Sequence, residues 1–437
     1  MFSIKKSYFK KFPVFNLNKK LVQSKSWFDL EKYKPSNFKR ILKLKTYKNK
    51  NQDIIKSNKI FLFPNQSQRR KIFRWFHIYD YYFNKALNVL KSYKIKSNIS
   101  LRNKVREFDN YTIKYSRKGI IHTDTIDYAF REAFNCYKTN FTKIKKKQIK
   151  RFRLRKKNNS RRRKTLVLSE KAFSNKFNTI FKSCLGKELK SSNDLTGINI
   201  TCKLQFDKVK NRFILFVPIK KKYTYKVKNR SDSCSLDPGL RTFQTVYSKE
   251  NCYKFGNNAI REIKPLISRI ENKKKFEGTK WYKKYSSRLY EKIYNKISDL
   301  HWKTIKYLVK RFDNIIVGKL NTSGIVKKEG NLCKKLRTLT LQLQHYTFRE
   351  RLKFKGKEYN CNIIVQNEAY TSKTCGKCGE LNRKLGSSKI FNCSRCKFKY
   401  DRDLNGARNI MIKYKQTTVK YKWRWLYVKN EIFLQFI

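Results

Sequence analysis

The chain has 437 residues, room for two to four domains, and carries 108 Lys and Arg against 30 Asp and Glu, a formal charge of +78. Charge of that size repels itself unless a polyanion is bound, and no run of about 18 apolar residues exists to cross a bilayer. The 15% aromatic content interleaves with the basic residues and suits nucleic acid better than a membrane surface, a large RNA more than a short DNA site.

Residues 1–58 are basic, weakly periodic and read as an N-terminal arm, without the apolar region or small-residue cleavage site of a secretory signal. A strand-like run from Lys59 meets Pro64. From Gln68 the pattern turns helical through Phe73, Phe76, Ile78 and Tyr82, and helical character with charged breaks continues to about Phe177. Within it, Lys143 to Lys164 is the densest basic run and includes Arg151, Arg153, Arg155, Arg161, Arg162 and Arg163. It reads as contact with a phosphate backbone or as a nuclear address. A solvated face is the alternative, and the polyanion-seeking composition favours phosphate. Residues 198–205 and 212–219 alternate as two antiparallel strands of a small β-domain whose first strand precedes the helical insert.

After a basic linker, an apolar strand carries Asp237 into a Pro-Gly turn and a second strand returns. A long helix follows from about Tyr285 to Phe312, with Leu289, Ile293, Ile297, Leu300, Ile305 and Leu308 at core spacing and His301 as a structural or phosphate-facing residue. Two buried strands, 314–318 and 362–366, flank a helix at 336–354. The order hairpin, helix, strand, helix, strand, insertion, helix is an RNase H-like α/β layout.

Cys375, Cys378, Cys393 and Cys396 form two Cys-x2-Cys knuckles, which suit one Zn²⁺ with no open position, a structural site. The other seven cysteines are scattered, which points to a reducing intracellular compartment rather than to a disulfide framework. Glu368 stands just before the knuckles; Asp401 and Asp403 stand just after them at a helix start. Asp237, Glu368 and Asp403 together suit Mg²⁺ and, if the strands are neighbours, the two-metal cleavage of a phosphodiester.

The runs SLDPGLRTF, NIIVGKLNTSG, NEAYTSKTCGKCG and CSRCKFKYDRDLNGARNI closely resemble the RuvC-like nuclease of the TnpB family, transposon-encoded proteins related to type V CRISPR effectors. Upstream, Pro64, Gln68, Asn84, Ala86 and Leu87 resemble the family's N-terminal helical signature, so the likeness runs from about residue 59 to 416. It implies an RNA-guided DNA endonuclease that binds a guide RNA and a target DNA with a short flanking motif. It also implies a layout: the arm 1–58; a β-barrel-like wedge domain 59–230 with a helical recognition insert at about 66–185; a RuvC-like domain 231–370 and 399–416; a zinc ribbon 371–398; and a tail 417–437. The nucleus is the expected compartment in a eukaryotic host, the cytoplasm otherwise. The family's usual second catalytic carboxylate is a Glu at the end of strand 314–318, where this chain has Gly318. Its Fanzor branch, from eukaryotes and giant viruses, is similar in carrying that Glu at the position of Glu368. By the same resemblance Asp403 is catalytic, Asp401 caps the helix, and Arg402 and Arg408 meet phosphate. Gly318 also motivates a contrary expectation, a decayed mobile-element protein that binds DNA or RNA without cutting. A DDE-type strand transferase would share the acidic triad, but the resemblance argues against it.

Overall fold

The computed structural model describes residues 30–33, 54–93, 95–109, 120–221, 230–326, 333–386 and 388–429. They divide into two compact units, one spanning 55–221 and the other formed by 222–437 together with the segment before residue 55. Most of the expected arm therefore lies outside the described residues. Within it β1 (Leu30–Tyr33) is a strand of the second unit, and β2 (Ile54–Leu62) begins four residues before the predicted end of the arm.

In the first unit β2 leads into α1 (Gln66–Ser92), α2 (Asn98–Phe108) and α3 (Thr123–Lys145). Helix α1 starts at a capping box in which the Asn65 side chain accepts from the Gln68 amide at 2.9 Å and the Gln68 side chain accepts from the Asn65 amide at 3.1 Å. Ile72, Trp75, Phe76, Tyr79 and Phe83 then recur at helical spacing and are buried. The helices are followed by β3 (Arg163–Leu168), α4 (Lys182–Leu185), β4 (Cys202–Asp207) and β5 (Arg212–Lys221), and the sheet runs β2-β5-β4-β3. The predicted helical character to Phe177 is thus corrected: the long helices end at Lys145, and Arg163–Leu168 is an edge strand paired antiparallel to β4. Its period-2 burial, with Leu166 and Leu168 inward, is hidden in the sequence by the arginines ahead of it.

The second unit holds β6 (Ser231–Pro238), β7 (Gln244–Ser248), β8 (Cys252–Phe255), α5 (Ala259–Asn272), α6 (Lys280–Arg311), β9 (Phe312–Gly318), α7 (Thr322–Ile325), α8 (Lys334–Gln342), α9 (His345–Glu358) and β10 (Asn362–Gln366). A small ribbon, β11 (Ile390–Asn392) and β12 (Lys399–Asp401), precedes α10 (Arg402–Lys429), which continues into the segment expected to be a separate tail. The sheet order is β1-β8-β7-β6-β9-β10; β6, β9 and β10 are parallel and the rest antiparallel. Side chains alternate across it. Leu236, Val246, Ile315 and Val317 face α5, α6 and α9, while Tyr247 and Ile316 face Leu404, Ala407 and Met411 of α10. A sheet covered on both faces leaves its chemistry to the strand ends.

Candidate active site and metal centre

Asp237 is the penultimate residue of β6, at the end where the parallel neighbours β9 and β10 also terminate. Glu368 lies two residues past the end of β10, and Asp403 lies in the first turn of α10. The register pairs Gln366 with Gly318, so the two strand ends expected to be adjacent are adjacent. Gly318 explains how they share one space. A Cβ built there would come within 2.6 Å of Glu368 Oε2 and 3.0 Å of Pro238 Cδ, so the Glu368 carboxylate occupies the volume that a side chain at 318 would need. A Cβ on Gly406 would likewise collide with Asp237 Oδ2, which places the Asp237 carboxylate against the α10 backbone one turn after Asp403.

Burial raises the pKa of Asp237 well above the usual carboxylate range, and the negative charges of Asp403 and then Glu368 raise it further, against the pull of Arg402. Burial pushes Glu368 up to about 7, opposed by the positive charges of Arg349 and Lys413. Asp403 is raised by burial and by Asp401, opposed by Lys254, Arg402 and Arg241. Glu368 Oε2 is buried without a hydrogen-bond partner. Three part-buried acids, two of them acting on the charge of Asp237 and one ending in a buried oxygen without a hydrogen-bond partner, fit a hard divalent cation. They are not drawn as tight as a closed cage. Among the described residues the only group of three or more metal-ligating side chains whose ligand atoms all lie within 4.8 Å of one another is Cys375, Cys378, Cys393 and Cys396.

Those four sulfurs fit a tetrahedral metal: Cys375 and Cys396 are 3.6 Å apart and Cys378 and Cys393 3.5 Å, near the roughly 3.8 Å edge that 2.3 Å Zn–S bonds imply. The ribbon is strapped to the carboxylates through α10. Asn405 donates to the Thr374 carbonyl (2.8 Å) and accepts from the Gly376 amide (2.8 Å), and Asn409 donates to the carbonyls of Thr371 (2.8 Å) and Thr374 (2.7 Å). The Thr371 hydroxyl donates to the Glu368 carbonyl at 2.8 Å, which closes the path from knuckle to carboxylate. Asp401 caps α10, accepting from the amides of Asp403 and Leu404 at 3.0 Å each, as expected, while its other oxygen pairs with Lys254 at 2.6 Å.

The expected phosphate-binding arginines divide. Arg151, Arg153, Arg155, Arg161, Arg162 and Arg163 are exposed, but Lys157 within the same run is buried, 2.7 Å from Glu132 and against the rings of Tyr79 and Phe83. Arg402 donates to the carbonyls of Gly386 (2.9 Å) and Ser388 (3.3 Å), tying the ribbon to α10. Arg408 is corrected: at 1% exposure it bonds Tyr247 and fills the space beside Gly376, and presents nothing to a phosphate. His301 is core, buried beside Phe243 at 5.0 Å with Nε2 3.0 Å from the Leu343 carbonyl. Sequence reasoning missed Lys254, Arg349 and Lys413. Of these only Lys254 left a sign, a charged residue in the middle of an otherwise apolar and aromatic strand.

A family model described as the Cas12f1-like TNB domain matches residues 345–410, the stretch from α9 through the ribbon into α10. TnpB-like protein L79 of Acanthamoeba polyphaga mimivirus is 32% identical over 392 residues, covering 82% of this chain and 73% of that protein. TnpB-like protein L770 of the same virus matches with the same identity and coverage. The CRISPR-associated endodeoxyribonuclease Cas12f1 of an uncultured archaeon is 40% identical over 67 residues, 14% of this chain and 13% of that protein. With that identity along most of both chains, the protein is a member of the TnpB family.

Proposed function

We propose that the chain is an RNA-guided DNA endonuclease of the Fanzor type, encoded by a mobile element, which hydrolyses phosphodiester bonds at Asp237, Glu368 and Asp403. The observation that carries this is the Glu368 carboxylate lying in the space that Gly318 leaves open, a second acid supplied from the neighbouring strand. The antiparallel β8-β7-β6 set continued by parallel β9 and β10, with α10 across one face, supports an RNase H-like, RuvC-type domain at 231–370 and 399–416. We read 371–398 as its zinc ribbon and 59–230 as the wedge and recognition part. Two Mg²⁺ ions, when held by the three acids, would activate water and stabilise the leaving oxygen. The protein's own part is to keep those acids together against their repulsion, with Arg349 and Lys413 beside Glu368 and Lys254 and Arg241 beside Asp403. The charge of +78 and the exposed arginines of 151–163 support a guide RNA and target DNA as partners, inside a reducing compartment.

The test is to express the chain with its own flanking genomic DNA, sequence the RNA that co-purifies, and assay cleavage of a matched target with Mg²⁺. A discrete RNA with a constant scaffold and a variable end, and cleavage abolished by Asp237→Asn, Glu368→Gln or Asp403→Asn, is the expected result. A smear of host RNA removable by salt and no cleavage would favour the decayed binder that Gly318 alone suggests.

A further inference from the structure

Helices α5 and α6 form an antiparallel hairpin. Ile263, Ile267 and Ile270 share a core with Leu289, Ile293 and Ile297, Lys296 pairs with Glu262 at 2.8 Å, and the Tyr282 hydroxyl reaches the Ile270 carbonyl at 3.4 Å. The C-terminal end of α6 runs straight into the start of β9, at the end of the parallel strands opposite the carboxylates. Its residue 301 stacks on Phe243, in the turn that follows Asp237, so α6 has reached the level of the candidate site by His301. The residues from Lys280 to that point add about 30 Å at 1.5 Å per residue. The hairpin therefore overshoots the sheet on the side where the carboxylates lie.

Its tip is aromatic and basic. Trp281 is 52% exposed and stacks on Tyr285 at 5.0 Å with planes 9° apart, and Phe276, 41% exposed, meets Trp281 edge-on at 5.7 Å. Around them Lys273, Lys274, Lys275, Lys280, Lys283 and Lys284 are all exposed. An apolar cluster raised on an arm, with six exposed lysines around it against the exposed Glu271 and Glu277, is complementary to a polymer with flat apolar faces and a phosphate backbone. We propose that this tip is a stacking site for single-stranded DNA, holding unpaired bases of the strand that passes the candidate site. Stacking needs bases free of a duplex, and DNA is the strand that this edge handles if the nuclease reading above, on which the choice of occupant rests, is right.

The test is equilibrium binding of the full chain to an oligo-dT and to an abasic oligonucleotide of the same length and phosphate number, over a series of salt concentrations. Phe276→Leu together with Trp281→Leu keeps the apolar bulk and all the charge. It should weaken oligo-dT about tenfold while leaving abasic binding and the salt slope unchanged. Equal loss on both oligonucleotides, or none on either, overturns the proposal, and so does a loss confined to an oligo-U RNA of the same length. Circular dichroism of the variant guards against misfolding. Failure of the nuclease reading is separate: a wild-type chain that shows the base-dependent term but never cuts guide-matched DNA keeps the stacking site and loses the proposed activity.

Discussion

Gly318→Ala adds one methyl group beside the candidate site. The new Cβ would lie 2.6 Å from Glu368 Oε2, which must retreat by about 0.8 Å to regain ordinary contact at 3.4 Å, while Pro238 Cδ at 3.0 Å and Ile410 Cδ1 at 3.1 Å yield by a few tenths. The carboxylate is the far end of a flexible side chain, so the fold should survive with a loss of about 1 kcal/mol. The chemistry should not, since a displacement of about 1 Å at a reacting centre costs on the order of a hundredfold in rate. Single-turnover cleavage with saturating guide and Mg²⁺, alongside thermal melts, measures both. The decisive comparison is a double-mutant cycle in stability: in a Glu368→Ala background Gly318→Ala should lose part of its cost, because the side chain it displaces is gone. Cleavage by Gly318→Ala within twofold of wild type would refute the shared-volume argument.

Three further outcomes follow from contacts around the site. Lys254→Met strips the partner from Asp401 and should cost about 2 kcal/mol in urea unfolding, part of it recovered by adding Asp401→Asn, because an unpaired, half-buried charge is worse than none. Cys378→Ser should lower bound zinc from one per chain to none by elemental analysis and abolish cleavage with little change in far-UV circular dichroism, since the straps from Asn405 and Asn409 then hold an unfolded ribbon. In magnesium-free buffer, stability should fall as pH rises from about 4.5 to about 7. Over that range the folded protein retains the Glu368 proton that the unfolded chain has released, so raising pH favours unfolding; Glu368→Gln should flatten this part of the profile.

The positions legible in the sequence were those with narrow spacing rules or a strong period. The knuckles, the end of β6 at Asp237, the helical cap at Asp401 and the strands 314–318 and 362–366 are all local statements, although 362–366, expected to be buried, is a half-buried edge strand. The β8 strand and α5 went unread because four residues are too short for a period to declare itself and because Pro265 sits inside α5. Arg408 is expected at phosphate by resemblance, and a motif match carries no burial. Its burial is a tertiary fact, set by a sheet residue, Tyr247, that lies far away along the chain. Lys157 hid in the same way inside a run of exposed bases, its partners Glu132 and Tyr79 both belonging to other elements. Gly318 alone suggests a loss and the resemblance points to Glu368 in its stead; that the Glu368 carboxylate lies in the space beside Gly318 is visible only with the neighbouring strand in register.

The same accommodation constrains how lineages could exchange one arrangement for the other. A side chain at 318 and an acid at 368 compete for a single volume. A sequence with both would crowd two like charges into it, and a sequence with neither would leave it without an acid. If Glu368 serves the proposed cleavage, each one-step change across that boundary gives a poorer nuclease than either end, and the two residues should be inherited as a pair.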